Sequence, residues 1–385
     1  MQRDLNHRID ILDLFRFLAI SMVMLAHYFS LFTQPNIQSN FYPYGNKYAE
    51  VTLFKYGYLG VELFFIISGF VIFMSLEKCG NLKVFILKRF IRLFPPILFC
   101  SVLTFVLVRL IDQYNYFPSF HRPLSYFLPS LTFTEPSLWE KVFGLKLGYI
   151  DGVYWSLAVE VKFYFLSAIL FYYSRGNFVR NWTVLVGLAL IFQVFFIQKA
   201  MSPDSLPGLS LLTQLVNFLL FPQYILLFTL GILFYHLYNK IKVRPYLIVA
   251  IAAYAIIQLF FVEMIKNDWV EKVFVIFFIG LFLIFIYWQS LLKPFSIAPF
   301  KQIGLASYPL YLLHQNLGII LILYVSNILG LTAYQEIVVI PVVLITLSIS
   351  FLIHKKIELP ASKVLSRMLF SKEQVSPVKI LKKTG

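Results

Sequence analysis

An arginine and a histidine share one face of an otherwise apolar segment: Arg16 and His27, in LFRFLAISMVMLAHYF. Eleven residues make roughly three helical turns plus ~20°, so both side chains fall on one stripe about 16 Å apart along the axis. Ionisable groups are costly in hydrocarbon and mark functional interiors by default. An imidazole so placed can act as general base or nucleophile. The spacing sets a cation near the membrane surface and the imidazole deep within it. Chemistry that begins on one side of a membrane and finishes deeper in fits that pattern.

Four further constellations carry chemistry-bearing residues. In GYLGVELFFIISGFVIFMS, Glu62 is the lone acid, Ser68 can bond across helices, and Gly60 and Gly69 permit close helix approach. In KVFILKRFIRLFPP, Lys88, Arg89 and Arg92 cluster ahead of Pro95 and Pro96, which are read as starting the next span. Arginine suits bidentate phosphate contact, and anionic-lipid anchoring is the alternative role. In DGVYWSLAVEVKFYF, Ser156, Glu160 and Tyr164 recur at i, i+4 and i+8, while Lys162 lies on another face. In GLASYPLYLLHQ, Ser307, Tyr311 and His314 share a stripe beside Tyr308, with Pro309 as a candidate kink. His7, His121, His236 and His354 fall in loops or at span ends. No metal-ligand spacing, phosphate-cradling glycine loop or G-x-S-x-G elbow is present.

The elements that must position these residues are membrane helices. The 385 residues are 59% hydrophobic and only 13% charged, about half the charged fraction of a soluble protein. Apolar stretches of about twenty residues recur throughout, so the chain reads as an all-α polytopic membrane protein. Ten spans are expected, at roughly 12–33, 57–76, 92–112, 152–173, 181–199, 209–237, 245–263, 270–288, 303–329 and 333–354. The sixth and ninth are long enough to require tilt or a break.

The net charge of +15 follows topology, not nucleic acid. With a cytoplasmic N-terminus, 22 of the 33 Lys and Arg residues fall on the cytoplasmic side and 8 outside. Arg16, Arg109 and Lys162 remain within spans. This split satisfies the positive-inside rule with both termini cytoplasmic. Two cysteines, Cys79 and Cys100, exclude a disulfide framework. The first span lacks a small-residue cleavage site and reads as a retained anchor. The expected organisation is one membrane domain, 8–358, and a basic tail, 359–385, lying on anionic lipid or disordered. The outer loop of about 113–151 is proline-rich and suited to covering an opening. No separate catalytic domain is expected, so the membrane part must do any chemistry. No internal repeat is evident, which weakens a transporter or exporter reading built on duplicated halves.

In this order and spacing, the five patches resemble the integral membrane acyltransferase 3 family, which includes bacterial polysaccharide O-acetyltransferases. Arg16 and His27 match its Arg, ten residues, His opening. Gly60, Val61, Phe64, Phe65, Ser68, Gly69 and Phe70 match its G-V-x-x-F-F-x-x-S-G-F segment. Lys88, Arg89, Arg92 and Pro95 match a basic stretch followed by proline. Trp155, Ser156, Leu157, Glu160, Phe163 and Tyr164 match W-S-L-x-x-E-x-x-F-Y. Ser307, Tyr308, Tyr311, Leu312 and His314 match S-Y-x-x-Y-L-x-H, and Glu358 and Pro360 match E-x-P. The resemblance runs from about residue 8 to 363. Lys88 departs from the arginine of many members, keeping charge but losing bidentate geometry.

The resemblance implies transfer of an acyl group, acetyl by family default, from cytoplasmic acetyl-CoA to a carbohydrate or lipid-linked glycan hydroxyl. It places the protein in the inner (plasma) membrane and implies no metal. It assigns Arg16, Lys88, Arg89 and Arg92 to the donor and His27 to catalysis. Glu160 or Glu62 would orient His27, and Tyr308, Ser68 or Trp155 would steady the developing oxyanion. Glu62, Ser68, Trp155 and His314 are the expected substrate contacts.

Overall fold

The computed structural model describes residues 9–31, 43–112, 118–192, 221–239, 245–260, 268–330 and 335–370. Among them there is no strand. The main helices are α1 (Asp10–Phe29), α2 (Gly60–Lys78), α3 (Leu82–Ile111), α4 (Trp155–Tyr173), α5 (Phe178–Phe192), α6 (Pro222–Tyr238) and α7 (Pro245–Phe260). They continue with α8 (Trp269–Tyr287), α9 (Ala298–Leu305), α10 (Ser307–Leu313), α11 (Asn316–Leu329), α12 (Val339–Ile353) and α13 (Leu359–Leu369). His7 and residues 371–385 of the basic tail lie outside the described residues.

The exterior is apolar and the interior holds the polar groups, as a bilayer demands. On α3, Leu98, Phe99, Val102, Val106 and Leu110 are exposed, whereas Ser101 and Thr104 are buried. Among the described residues, six helical runs are long and apolar enough to cross a membrane: Asp10–Phe29, Gly57–Lys78, Leu82–Ile111, Gly152–Tyr173, Trp269–Tyr287 and Gln335–Leu369. The pair α10 and α11 adds a seventh if counted as one bent span. Ten were expected. The difference lies in the shorter helices α5, α6 and α7, whose expected spans run into residues outside the description. The chain is a multi-pass membrane protein.

Three local expectations are corrected. Pro95 and Pro96 lie inside a 30-residue helix and do not begin it. Asn81 caps that helix by accepting the Val84 N–H at 2.9 Å, so the basic stretch itself is helical. The expected ninth span does break, with a bend of 66° between α10 and α11, but at His314–Gln315 and not at Pro309. Pro309 sits in the first turn of α10, where a missing N–H costs no helical bond. At the other end, α12 continues through a π-helical turn, His354–Glu358, into α13. The stretch 359–369, expected as tail, is therefore helix, and Ser362 Oγ reaches the Ile91 carbonyl of α3.

Small residues set the spacing of the central helices, as expected of Gly60 and Gly69. A Cβ on Gly60 would lie 2.4 Å from the Ala19 carbonyl of α1, and one on Gly69 would lie 2.1 Å from the Phe228 carbonyl of α6. Helix α2 is thus clamped between α1 and α6. Two apolar clusters result. One gathers α1, α2, α4, α6 and α8 around Phe70, Phe163, Phe228 and Phe282. The other gathers α1, α3, α10, α11 and α12 around Ile20, Ile97, Leu310 and Val342. The polar residues of interest lie at the seam between them.

Candidate active site

A cavity of about 90 Å³ occupies that seam. Arg16 comes from α1, and Phe64, Phe65 and Ser68 from α2. Arg92 comes from α3, Ser156, Glu160 and Tyr164 from α4, and Ser307, Tyr308 and Tyr311 from α10. Five segments far apart in sequence therefore contribute to one lining. Arg16 Nη1 donates to Asp13 Oδ1 at 2.6 Å, one turn back on α1, which fixes its stem.

The three cations expected to act together on α3 occupy three environments. Lys88 is exposed, away from the cavity. Arg92 lines the cavity. Arg89 turns inward, donating from Nη2 to Ser75 Oγ at 2.6 Å, with its guanidinium 5.5 Å from the Phe85 ring centroid. Its Nε and Nη1 are buried with no hydrogen-bond partner among the described residues. Buried charged donors without acceptors are costly, so this guanidinium is suited to an anion.

Midway along the cavity, Glu160 Oε1 accepts from Ser68 Oγ and Tyr164 Oη, both at 2.5 Å. Tyr308 lines the wall, and its hydroxyl donates to the Leu93 carbonyl at 3.0 Å. Ser156 Oγ and Tyr311 Oη are 2.8 Å apart, and both reach the Val153 carbonyl. Lys162, expected on another face, pairs with Glu135 of the loop after α3.

His27 and His314 meet behind the Tyr311 wall of this cavity, outside its lining. His27 Nδ1 lies 2.6 Å from His314 Nε2, and both residues are buried. His314 Nδ1 lies 2.9 Å from the Tyr311 backbone carbonyl. A carbonyl oxygen only accepts, so His314 Nδ1 carries a hydrogen. In the neutral ring His314 Nε2 is then an acceptor, and His27 Nδ1 must donate to it. The lone pair of neutral His27 therefore resides on Nε2. Helix α1 supplies the base, and α10 supplies the group that fixes its tautomer. Glu160, expected with Glu62 as the orienting carboxylate, bonds Ser68 and Tyr164, and the group that bonds His27 is His314, expected as a substrate contact. The Tyr311 ring, 5.5 Å from that of His314 and 5.9 Å from that of Phe64, is the wall the cavity shares with the histidine pair.

Asp151 anchors the chain just beyond His314. Its Oδ2 accepts the Asn316 N–H at 3.0 Å, and its Oδ1 accepts the Val153 N–H at 3.2 Å. Asn316 Nδ2 donates to the Ile150 carbonyl at 3.1 Å. The start of α11 is thereby tied to the turn that leads into α4. Burial pushes the Asp151 carboxyl up to about 7 despite these backbone N–H bonds. The sequence signal is an aspartate immediately before a glycine-led helical turn, a capping pattern whose tertiary partner only the fold reveals.

Glu62 and Trp155 stand in the first turns of α2 and α4, outside the cavity lining. Two of the other histidines have local partners: His121 with Asp112 at 2.9 Å and His354 with Glu358 at 2.7 Å. Among the described residues no group of three His, Cys, Asp or Glu could hold a metal ion.

A buried histidine pair beside an arginine-lined cavity inside a helical membrane protein is an arrangement compatible with group transfer. The family model described as an acyltransferase domain matches residues 9–355. The chain belongs to that family, acyltransferase 3. It is also 26% identical over 188 residues to an O-acetyl transferase of Shigella phage Sf6. That match covers 48% of this chain and 53% of the phage protein, so the chain spans about half the length of the curated relative it matches. No solved structure matches the chain.

Proposed function

We propose that this protein is a membrane O-acyltransferase. It moves an acyl group, acetyl by the name of its relative, from acyl-CoA to a hydroxyl of a cell-envelope carbohydrate or lipid-linked glycan. The observation that carries the reading is the His27–His314 pair, whose tautomers leave His27 Nε2 as the basic atom. The family match and the named relative support the reaction class.

The donor approaches from the end of the bundle that holds Arg16 and Arg92. That end is cytoplasmic in the topology read from charge, with the inner membrane as the site of action. Arg16, Arg92 and the inward-turned Arg89 meet the CoA phosphates, and exposed Lys88 adds charge at the entrance. The pantetheine arm follows the cavity past Ser68, Glu160 and Tyr308 toward Tyr311. The distance of roughly 16 Å between Arg16 and His27 suits an extended arm. The thioester reaches the histidine past the Tyr311 and Phe64 wall. His27 Nε2 takes the proton of the acceptor hydroxyl as its oxygen attacks the thioester carbonyl. The C–S bond breaks, its electron pair leaves on sulfur, and His27 returns the proton to that thiolate. Glu62 and Trp155 stand on the acceptor side.

The test is CoA release from acetyl-CoA by the purified protein with mixed envelope glycans. Wild type is expected to release CoA. His27→Ala is expected to fall by about 10² or more while remaining inserted and folded. Full activity in His27→Ala refutes the mechanism.

A further inference from the structure

An aromatic cluster with a buried carboxylate lies at the exposed end of α2, α4, α6 and α8. Trp155, the first residue of α4, is 37% exposed. Its ring centroid lies 5.3 Å from that of Tyr224 on α6 and 6.3 Å from that of Phe65 on α2. Phe65 and Tyr224 are 5.1 Å apart. Phe65 also lines the cavity, so the cluster is continuous with it.

Glu62 precedes Phe65 by three residues and shares its helix face. It is 3% exposed, and its Oε2 has no hydrogen-bond partner among the described residues. A buried carboxylate oxygen without a donor is a strong demand for one. Tyr58, itself partly exposed, donates its hydroxyl to Glu271 Oε1. The neighbourhood thus combines flat apolar faces with the carboxyl oxygens of two buried glutamates.

A pyranose offers the complement: an apolar C–H face for a ring and a rim of hydroxyl donors for a carboxylate. A sugar acid would have to desolvate its own carboxylate beside the two buried carboxyl groups of Glu62 and Glu271 and is disfavoured. The cluster is also close to the chemistry. Ser156, next to Trp155 in the chain, bonds Tyr311, whose ring touches His314.

We propose that Trp155, Tyr224, Phe65 and Glu62 form the acceptor subsite, and that they select an uncharged or amino-bearing sugar ring over a uronic acid. This rests on the acyltransferase reading above and deepens it.

The experiment uses the full chain in lipid nanodiscs and follows tryptophan emission during titration. The probes are chitotetraose and maltotetraose, both uncharged, and tetragalacturonate, which is acidic. A saturable emission shift with an uncharged probe is expected, absent in Trp155→Leu and about tenfold weaker in Glu62→Gln. Tetragalacturonate is expected to bind at least tenfold more weakly than the better uncharged probe. The comparison of probes on wild type needs no variant and survives a misfolded one. The proposal is overturned if neither uncharged probe binds, if tetragalacturonate binds as tightly, or if folded Glu62→Gln binds unchanged. Acetyl-CoA binding by the same wild-type sample is measured separately. Its loss refutes the acyltransferase reading, whereas its presence without sugar binding refutes the subsite alone.

Discussion

Removing the His314 side chain separates a positioning histidine from a substrate contact. His314 touches His27 through one buried hydrogen bond of 2.6 Å and is anchored by another of 2.9 Å to the Tyr311 carbonyl. In His314→Ala the His27 Nδ1–H loses that acceptor, and His27 is released to its other tautomer, with the hydrogen on Nε2. Leaving such a buried group without its partner costs about 1–3 kcal/mol. That converts to roughly a 5- to 150-fold fall in kcat. The acyl-CoA KM is expected to stay within about twofold, because the arginines proposed to meet the donor lie about three helical turns from His27. His314→Gln supplies an amide oxygen near the Nε2 position and is expected to recover most of the rate. The assay is steady-state CoA release at varied acetyl-CoA and saturating acceptor. Unchanged kcat in His314→Ala refutes the tautomer argument, as does an effect confined to KM. A glutamine variant as slow as the alanine variant also refutes it, because acceptor chemistry would then be irrelevant.

Arg16→Ala and Arg92→Ala are each expected to raise the acetyl-CoA KM about tenfold or more, read by donor-binding titration. Unchanged affinity in both removes these arginines from the donor site. Asp151 has a folded value raised from 3.8 to about 7. Its ionised form is therefore disfavoured in the folded state, and its contribution is full below about 4 and lost as pH rises through about 7. The apparent Tm should fall across that window in wild type, and Asp151→Asn, neutral throughout, should flatten the trend. A slope of the same size in the variant assigns it to other groups. Gly69→Val drives a side chain into the Phe228 carbonyl and should cost about 1–3 kcal/mol or more. Size-exclusion and thermal melting would register it, and a wild-type melt would contradict the close packing of α2 on α6.

The sequence alone determined what depends on local pattern. Apolar runs and the distribution of Lys and Arg specify membrane helices. The eleven-residue interval puts Arg16 and His27 on one stripe of one helix. The spacing of Ser156, Glu160 and Tyr164 is likewise a property of a single helix, as are the glycines that mark close approach. The ordered motifs pointed to the family that the comparison then matched over residues 9–355. Tertiary structure decided which of these faces meet. His27 and His314 are 287 positions apart, so nothing in either segment announces that one fixes the proton of the other. The same holds for Asp151, whose partner at Asn316 exists only because α10 and α11 bend where α4 begins. The split of Lys88, Arg89 and Arg92 into exposed, inward-turned and cavity-lining positions also waited on the fold. A helical period fixes the angle between neighbours on one helix, but the identity of the opposing helix comes only from packing.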